Sequence, residues 1–173
     1  MQPTVTIRRA HPGDLAAVDR LLARSYPRLL AADYPPSVMV LAVPIIARAR
    51  PELLASGRYL VAVDGEGIVV AAGGWSANRP EGGGAGPVGE LGHVRHVATD
   101  PDAVRQGIGR RLMQAVMTDA ARAGVRRMDC LSTRTAVPFY AALGFRVLGE
   151  TEVPLGPGIG FPAVRMLADL AAK

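Results

Sequence analysis

Val104-Arg105-Gln106-Gly107-Ile108-Gly109-Arg110-Arg111 lies between two stretches of opposite periodicity. Upstream, Glu90 to Thr99 reads as a strand that runs into Asp100-Pro101. Downstream, Gly107 to Ala123 reads as a helix, with Ile108, Leu112, Ala115, Val116 and Ala120 on one side and Gly124 as its stop. The first N–H groups of such a helix have no internal partners, and the aligned peptide dipoles place partial positive charge there. Glycines at 107 and 109 remove side chains, so a pyrophosphate could reach the backbone amides. Arg105, Arg110 and Arg111 add charge at the same turn. Gly-x-Gly before a helix is also a common tight turn, so the pattern alone leaves both readings open. No Gly-Lys-Ser/Thr occurs in the chain, and the glycines lack dinucleotide-fingerprint spacing. Nucleoside triphosphate and NAD are therefore not expected.

Working outward, Val5-Thr6-Ile7 reads as a short first strand, and Pro12-Gly13-Asp14 as a helix start with Asp14 as cap or first-turn acid. Leu15, Val18, Leu21, Leu22, Leu29 and Leu30 follow at amphipathic helical spacing. Pro27, Pro35, Pro36, Pro44 and Pro51 divide the next stretch into short helical pieces. Arg58–Asp64 and 68–72 form a predicted hairpin about Asp64-Gly65-Glu66-Gly67, and 77–89 reads as a Gly/Pro-rich loop. Beyond the central helix, Arg126–Ser132 is a strand and Thr135–Leu143 a helix. Two closing strands, 145–153 and 163–167, flank a predicted Pro-Gly turn over 154–162. There is no internal repeat. This order predicts one α+β or α/β domain over residues 1–173.

The chain has 173 residues, 49% hydrophobic and 20% charged, with a formal net charge of +5. That length gives room for a substantial core, and the apolar content excludes a disordered chain. The lone Cys130 excludes a disulfide framework and suits a reducing compartment. No apolar run approaches a membrane span, and Met1–Asp14 has no apolar leader core, so a cytoplasmic protein without membrane contact is expected. Nineteen of the twenty basic residues are Arg, with Lys173 the exception. Codon bias or an anionic partner would each produce that excess. A nucleic-acid binder should interleave its arginines with exposed aromatics, yet the chain has one Trp, four Tyr and three Phe, most at core-like positions. The clustering of Arg105, Arg110 and Arg111 favours a small phosphate-bearing ligand.

Asp100-Pro101 with Arg105-Gln106-Gly107-Ile108-Gly109-Arg110 and an amphipathic helix resembles the acyl-CoA motif of the GCN5-related N-acetyltransferases. Thr135-Ala136-Val137-Pro138-Phe139-Tyr140-Ala141-Ala142-Leu143-Gly144-Phe145 resembles the C-terminal signature of the same family. The first position of the family's Gln/Arg-x-x-Gly-x-Gly/Ala pattern is Val104 here, with Arg105 as its substitute. The resemblance implies a mixed, mostly antiparallel sheet of six to seven strands, splayed between the fourth and fifth and flanked by about four helices. It also implies acetyl-CoA as acyl donor, no metal, and direct transfer to an amine or peptide N-terminus in a ternary complex, with homodimers common among relatives. A CoA-binding sensor without transferase activity is the alternative.

The resemblance further assigns Val97, Ala98 and Thr99 to the pantetheine arm, joined by the glycine turn (Arg105 to Arg111) and by Thr133, Phe139 and Tyr140. Tyr140 matches the family tyrosine beside the CoA sulfur, placed to protonate the leaving thiolate. For the base, His93 and His96 lie in the fourth-strand segment and titrate near neutrality, with Glu90 as a weaker candidate. A strand bulge, which the family places here, would shift which face each one occupies. Tyr26, Tyr34, Trp75 and Arg95 are candidates for the acceptor pocket, although each could equally pack the core. Cys130 reads as a buried strand residue and His11 as a solvated one. No three His, Cys, Asp or Glu residues have metal-site spacing.

Overall fold

The computed structural model describes residues 4–78 and 88–170. Seven strands form one sheet in the order β1-β2-β3-β4-β5-β7-β6. They are β1 Val5–Arg9, β2 Tyr59–Asp64, β3 Val69–Ser76, β4 Leu91–Thr99, β5 Arg127–Ser132, β6 Arg146–Gly156 and β7 Ile159–Asp169. Every neighbouring pair is antiparallel except β4 with β5. Helices α1 Leu15–Leu30, α2 Pro36–Leu41, α3 Val43–Ile46 and α4 Pro51–Leu54 precede the sheet's central part, and α5 Ile108–Arg122 and α6 Val137–Ala142 follow it. The expected mixed sheet is present. The prolines at 36, 44 and 51 each open a short helix, because a missing N–H costs nothing in the first turn.

Two hydrophobic clusters cover the sheet. On one face, Leu112, Met113, Val116 and Ala120 of α5 are fully buried against Met128, Met166 and Trp75. On the other, Val18, Leu21 and Leu22 of α1 pack on Tyr59, Val61 and Ala72. The α1 side begins with a capping box: His11 Nδ1 accepts from the Gly13 N–H, and Asp14 accepts from the His11 N–H at 2.9 Å. Asp14 also takes both guanidinium arms of Arg8 at 2.9 Å, so the cap is tied to β1. His11 is exposed, as expected, but its ring has this local role.

Two strand boundaries differ from the sequence expectation. β3 continues through Gly73-Gly74-Trp75 to Ser76, since a Cβ on Gly74 would sit 2.4 Å from the Arg58 carbonyl oxygen. The glycine therefore serves a close strand approach and not a turn. The predicted turn over 154–162 is also mostly strand, with Pro154 paired to Gly160 and Gly156 to Ile159. Pro154 is tolerated because β6 is the edge strand, and Pro162 lies beyond the last β5–β7 pair, Ser132 with Val164. Most of the loop expected over 77–89 falls outside the described residues.

Pairing of β4 with β5 stops after three residues, at His93 with Asp129. Beyond that point the two strands diverge, which opens the sheet at its centre. The register between β3 and β4 also slips between Ala72 and Gly74, opposite His96, whose φ is +47°. This is the bulge expected in the fourth strand.

Candidate active site

A cavity of about 800 Å³ passes through the opening between β4 and β5, lined on both faces of the sheet. Its floor is β4 from Val94 to Thr99. At β4's C-terminal end the Ala72–Ala98 pairing directs Ala98 at β3, so the polar edges of Val97 and Thr99 face the opening. The Tyr26 hydroxyl donates to the Val97 carbonyl at 3.2 Å, and Ser25 Oγ donates to the Thr99 carbonyl at 2.9 Å. Helix α1 is thereby laid across the same opening. Arg24 reinforces it through Asp100 at 3.2 Å and Asp102 at 3.0 Å.

One end of the cavity meets the start of α5. Gly107 caps that helix with φ +78°, two residues after Arg105 at φ +62°, so left-handed residues shape the turn, a backbone geometry of the kind that forms anion-binding concavities. A Cβ on Gly109 would lie 3.0 Å from Thr99 Oγ1 and 3.4 Å from the Phe139 ring, so its hydrogen leaves the cradle open. Arg105, Arg110, Thr133 and Thr135 line this end. Three residues of the predicted turn point elsewhere. Gln106 reaches the Asp102 carbonyl at 3.5 Å, Ile108 is buried in the core, and Arg111 donates to the Val5 carbonyl. A side chain on the first turn of a helix alternates between ligand and core, so only part of a contiguous motif can face one site.

Tyr140 stands in the middle of the cavity wall next to Cys130, with its ring edge-on to Phe139 and Phe145. Burial pushes its hydroxyl well above the ordinary tyrosine value, and neighbouring Cys130 adds to the effect. Burial likewise pushes the Cys130 thiol up, which keeps it protonated and unsuited to nucleophilic attack.

The other end is bounded by α1, the α3–α4 region and the β6–β7 hairpin. Leu29, Leu30, Ile46, Val153, Leu155 and Phe161 make it apolar, while Arg50, Arg95 and His96 bring charge and a titratable ring. Burial, together with Arg50 and Arg95, pushes His96 down to about 4. The ring is thus neutral and able to accept a proton or hydrogen bond. Arg95 is buried and donates to Ser76 Oγ at 3.1 Å.

Several sequence candidates lie away from the cavity. His93 is buried at the apex of the opening, its Nδ1 3.1 Å from Asp129 Oδ2, while Asp129 Oδ1 accepts from Arg165 at 2.9 Å. Glu90 is exposed, and its carbonyl accepts from the Arg126 and Arg127 N–H groups. Trp75 is core: its indole N–H donates to Asp119 of α5 at 2.8 Å, and Arg58 lies over its ring. Tyr34 is also buried. It donates to the Pro162 carbonyl, accepts from the Arg134 N–H, both at 2.8 Å, and stacks on Phe161. Tyr34 and Trp75 each satisfy their polar atom within the protein, the usual behaviour of a buried Tyr or Trp. Arg50, Ile46 and the hairpin residues were not singled out from sequence, because in one dimension they match ordinary surface and core positions. Among the described residues no cluster of three metal-ligating side chains occurs, and no helix is long and apolar enough to cross a membrane.

A family model described as an acetyltransferase (GNAT) domain matches residues 55–147, the stretch that holds β2 to β5, α5 and α6. A GCN5-related N-acetyltransferase from Rhodopseudomonas palustris superposes with a TM-score of 0.77 at 20% identity, over 98% of each chain. A PaiA N-acetyltransferase from Thermoplasma acidophilum, in complex with coenzyme A, gives 0.69 at 13% identity, over 96% of this chain and 99% of that one. N-acetylglutamate synthase from Neisseria gonorrhoeae, complexed with coenzyme A and N-acetyl-glutamate, gives 0.66 at 19% identity. The match covers 99% of this chain but only 36% of the synthase. At these identities the solved structures speak to the fold, and the family model speaks to descent: the chain belongs to the acetyltransferase (GNAT) domain family.

Proposed function

We propose that the protein is an acetyl-CoA-dependent N-acetyltransferase that transfers the acetyl group directly to an amine within a ternary complex. The observation that carries this reading is the cavity through the opened sheet, with the α5 turn at one end and an apolar, basic chamber at the other. The residues present fit coenzyme A. Gly107 and Gly109 leave backbone N–H groups open to a pyrophosphate, Arg105 and Arg110 supply countercharge, and the Val97 and Thr99 edges suit the pantetheine amides. The coenzyme A held by solved relatives of the same fold supports this assignment.

When bound, acetyl-CoA supplies the acetyl group and a thiol leaving group. The acceptor nitrogen forms its bond to the acetyl carbon as the carbon–sulfur bond breaks. Tyr140 delivers its proton to the departing sulfur and is reprotonated from solvent. His96, neutral and facing the acceptor end, takes the amine's proton directly or through water and passes it to solvent, so the two transfers balance. Its position on the cavity favours it over His93 and Glu90, which lie off it.

The direct test is CoA release over a panel of primary amines, with acetyl-CoA binding followed by thermal shift. Tyr140→Phe should lower kcat by about 10²-fold while leaving CoA binding near the wild-type level. Wild-type turnover in that variant would remove the acid role, and CoA-independent stability would remove the donor assignment.

A further inference from the structure

We propose that the acceptor is a primary amine that also bears a carboxylate or equivalent oxyanion on an apolar body, and that Arg50 selects it; this rests on the acetyltransferase reading above. The chamber beyond the opening has a composition unsuited to a simple cationic amine. Among the described residues lining the cavity there is no Asp or Glu, whereas Arg50, Arg95 and His96 stand together at the acceptor end. An ammonium entering alone would meet only like charge there. An amine whose own carboxylate faces the arginines reverses the sign of the encounter, and guanidinium forks match carboxylate geometry.

The two arginines differ in kind. Arg95 is buried and tied to Ser76, part of the wall. Arg50 caps the start of α4 and its side chain is 47% exposed. It pairs with the exposed Glu52 at 4.0 Å. A contact that long and that solvated is readily exchanged for a ligand carboxylate. The apolar surround of Leu29, Ile46, Val153, Leu155 and Phe161 then accommodates an aliphatic or aromatic body. A carboxylate seated on Arg50 would also offset part of the positive field that keeps His96 unprotonated, so the matching acceptor strengthens its own base.

The test compares matched molecules. Leucine and phenylalanine are set against leucinamide, isoamylamine and phenethylamine, with CoA release as the readout. The expected preference for the carboxylates in kcat/KM is about 10- to 100-fold, the value of one charge-assisted hydrogen bond. Arg50→Ala should raise KM for the amino acids and lower it for isoamylamine, whose like-charge neighbour it removes, and Arg50→Glu should favour the amines further; the exposed position makes both compatible with folding. Equal use of amides and amino acids by the wild type would overturn the proposal, as would an unchanged preference in Arg50→Ala. A second arm does not depend on turnover: with CoA present, N-acetyl-leucine should raise Tm and N-isoamylacetamide should not. That difference without any CoA release would sustain the anion preference and sink the transferase reading; its absence sinks the preference.

Discussion

His96 combines a strained backbone, a buried ring and two cationic neighbours, and these together set its chemistry. The φ of +47° is sustained by the bulge opposite Gly73, and the Tyr59 hydroxyl holds the His96 carbonyl at 2.7 Å. Such a conformation is rare for a residue with a Cβ and persists only where its surroundings enforce it. Burial, with Arg50 and Arg95, takes the ring from 6.5 to about 4 in the folded protein. An unfolded chain binds this proton first, so stability falls as pH drops below 6.5 and stops falling once pH passes the folded value near 4. The loss is on the order of 3 kcal/mol. Denaturant melts at pH 7 and pH 4.5 should therefore differ more for the wild type than for His96→Gln. Equal pH sensitivity in the two proteins would remove the claim that this ring is held neutral.

At the scale of elements, the start of α5 carries the clearest prediction. Gly109 lies where a Cβ would touch Thr99 and Phe139, and the same space is the route to the helix N–H groups. Gly109→Val should lower CoA affinity by about 10- to 100-fold, the loss of one charge-assisted hydrogen bond, while Tm changes little because the residue is in the first turn. Calorimetric titration with CoA would measure it, and unchanged affinity would place the phosphates elsewhere. This helix was legible in the sequence because glycines bracket a clean 3.6-residue period, and the bracketing residues sit at its real ends. Punctuation misled where glycine or proline served the sheet. The hairpin segment read from sequence covers only 68–72, because the close approach of Gly74 to Arg58 and Tyr59 is a tertiary fact. Pro154 and Gly156 looked like a turn because nothing local reveals that β6 is an edge strand.

For the whole molecule, the decisive feature is that one sheet is both continuous and open. The end of the cavity proposed for the donor was legible as a cluster because it is built from contiguous stretches, β4 with the α5 turn and α6. Of the acceptor half only Arg95 and His96 were picked out, since Leu29, Ile46, Arg50 and Phe161 come together from separated segments and individually carry no signal. The opening ends where β4 and β5 pair, and a side-chain link sits at that apex. His93, Asp129 and Arg165 come from three adjacent strands, β4, β5 and β7; His93 and Asp129 form the last pair before divergence, and Arg165 lies opposite Leu131 on the next strand. Burial opposes the charge on Asp129, but its hydrogen bonds to His93 and Arg165 outweigh that and hold the carboxyl below its usual range. Removing the acid leaves a buried imidazole without its partner and frees both strands to separate further. Asp129→Ala should therefore cost about 2–3 kcal/mol in denaturant melts and weaken CoA binding together with stability, because the width of the opening is set here. Arg165→Ala should cost under about 1 kcal/mol, since that side chain is half exposed and its pairing is screened. A pure loss of stability with CoA affinity intact would make the triad a strand clamp with no bearing on the site. A parallel loss of both would show that the apex fixes the geometry in which donor and acceptor meet.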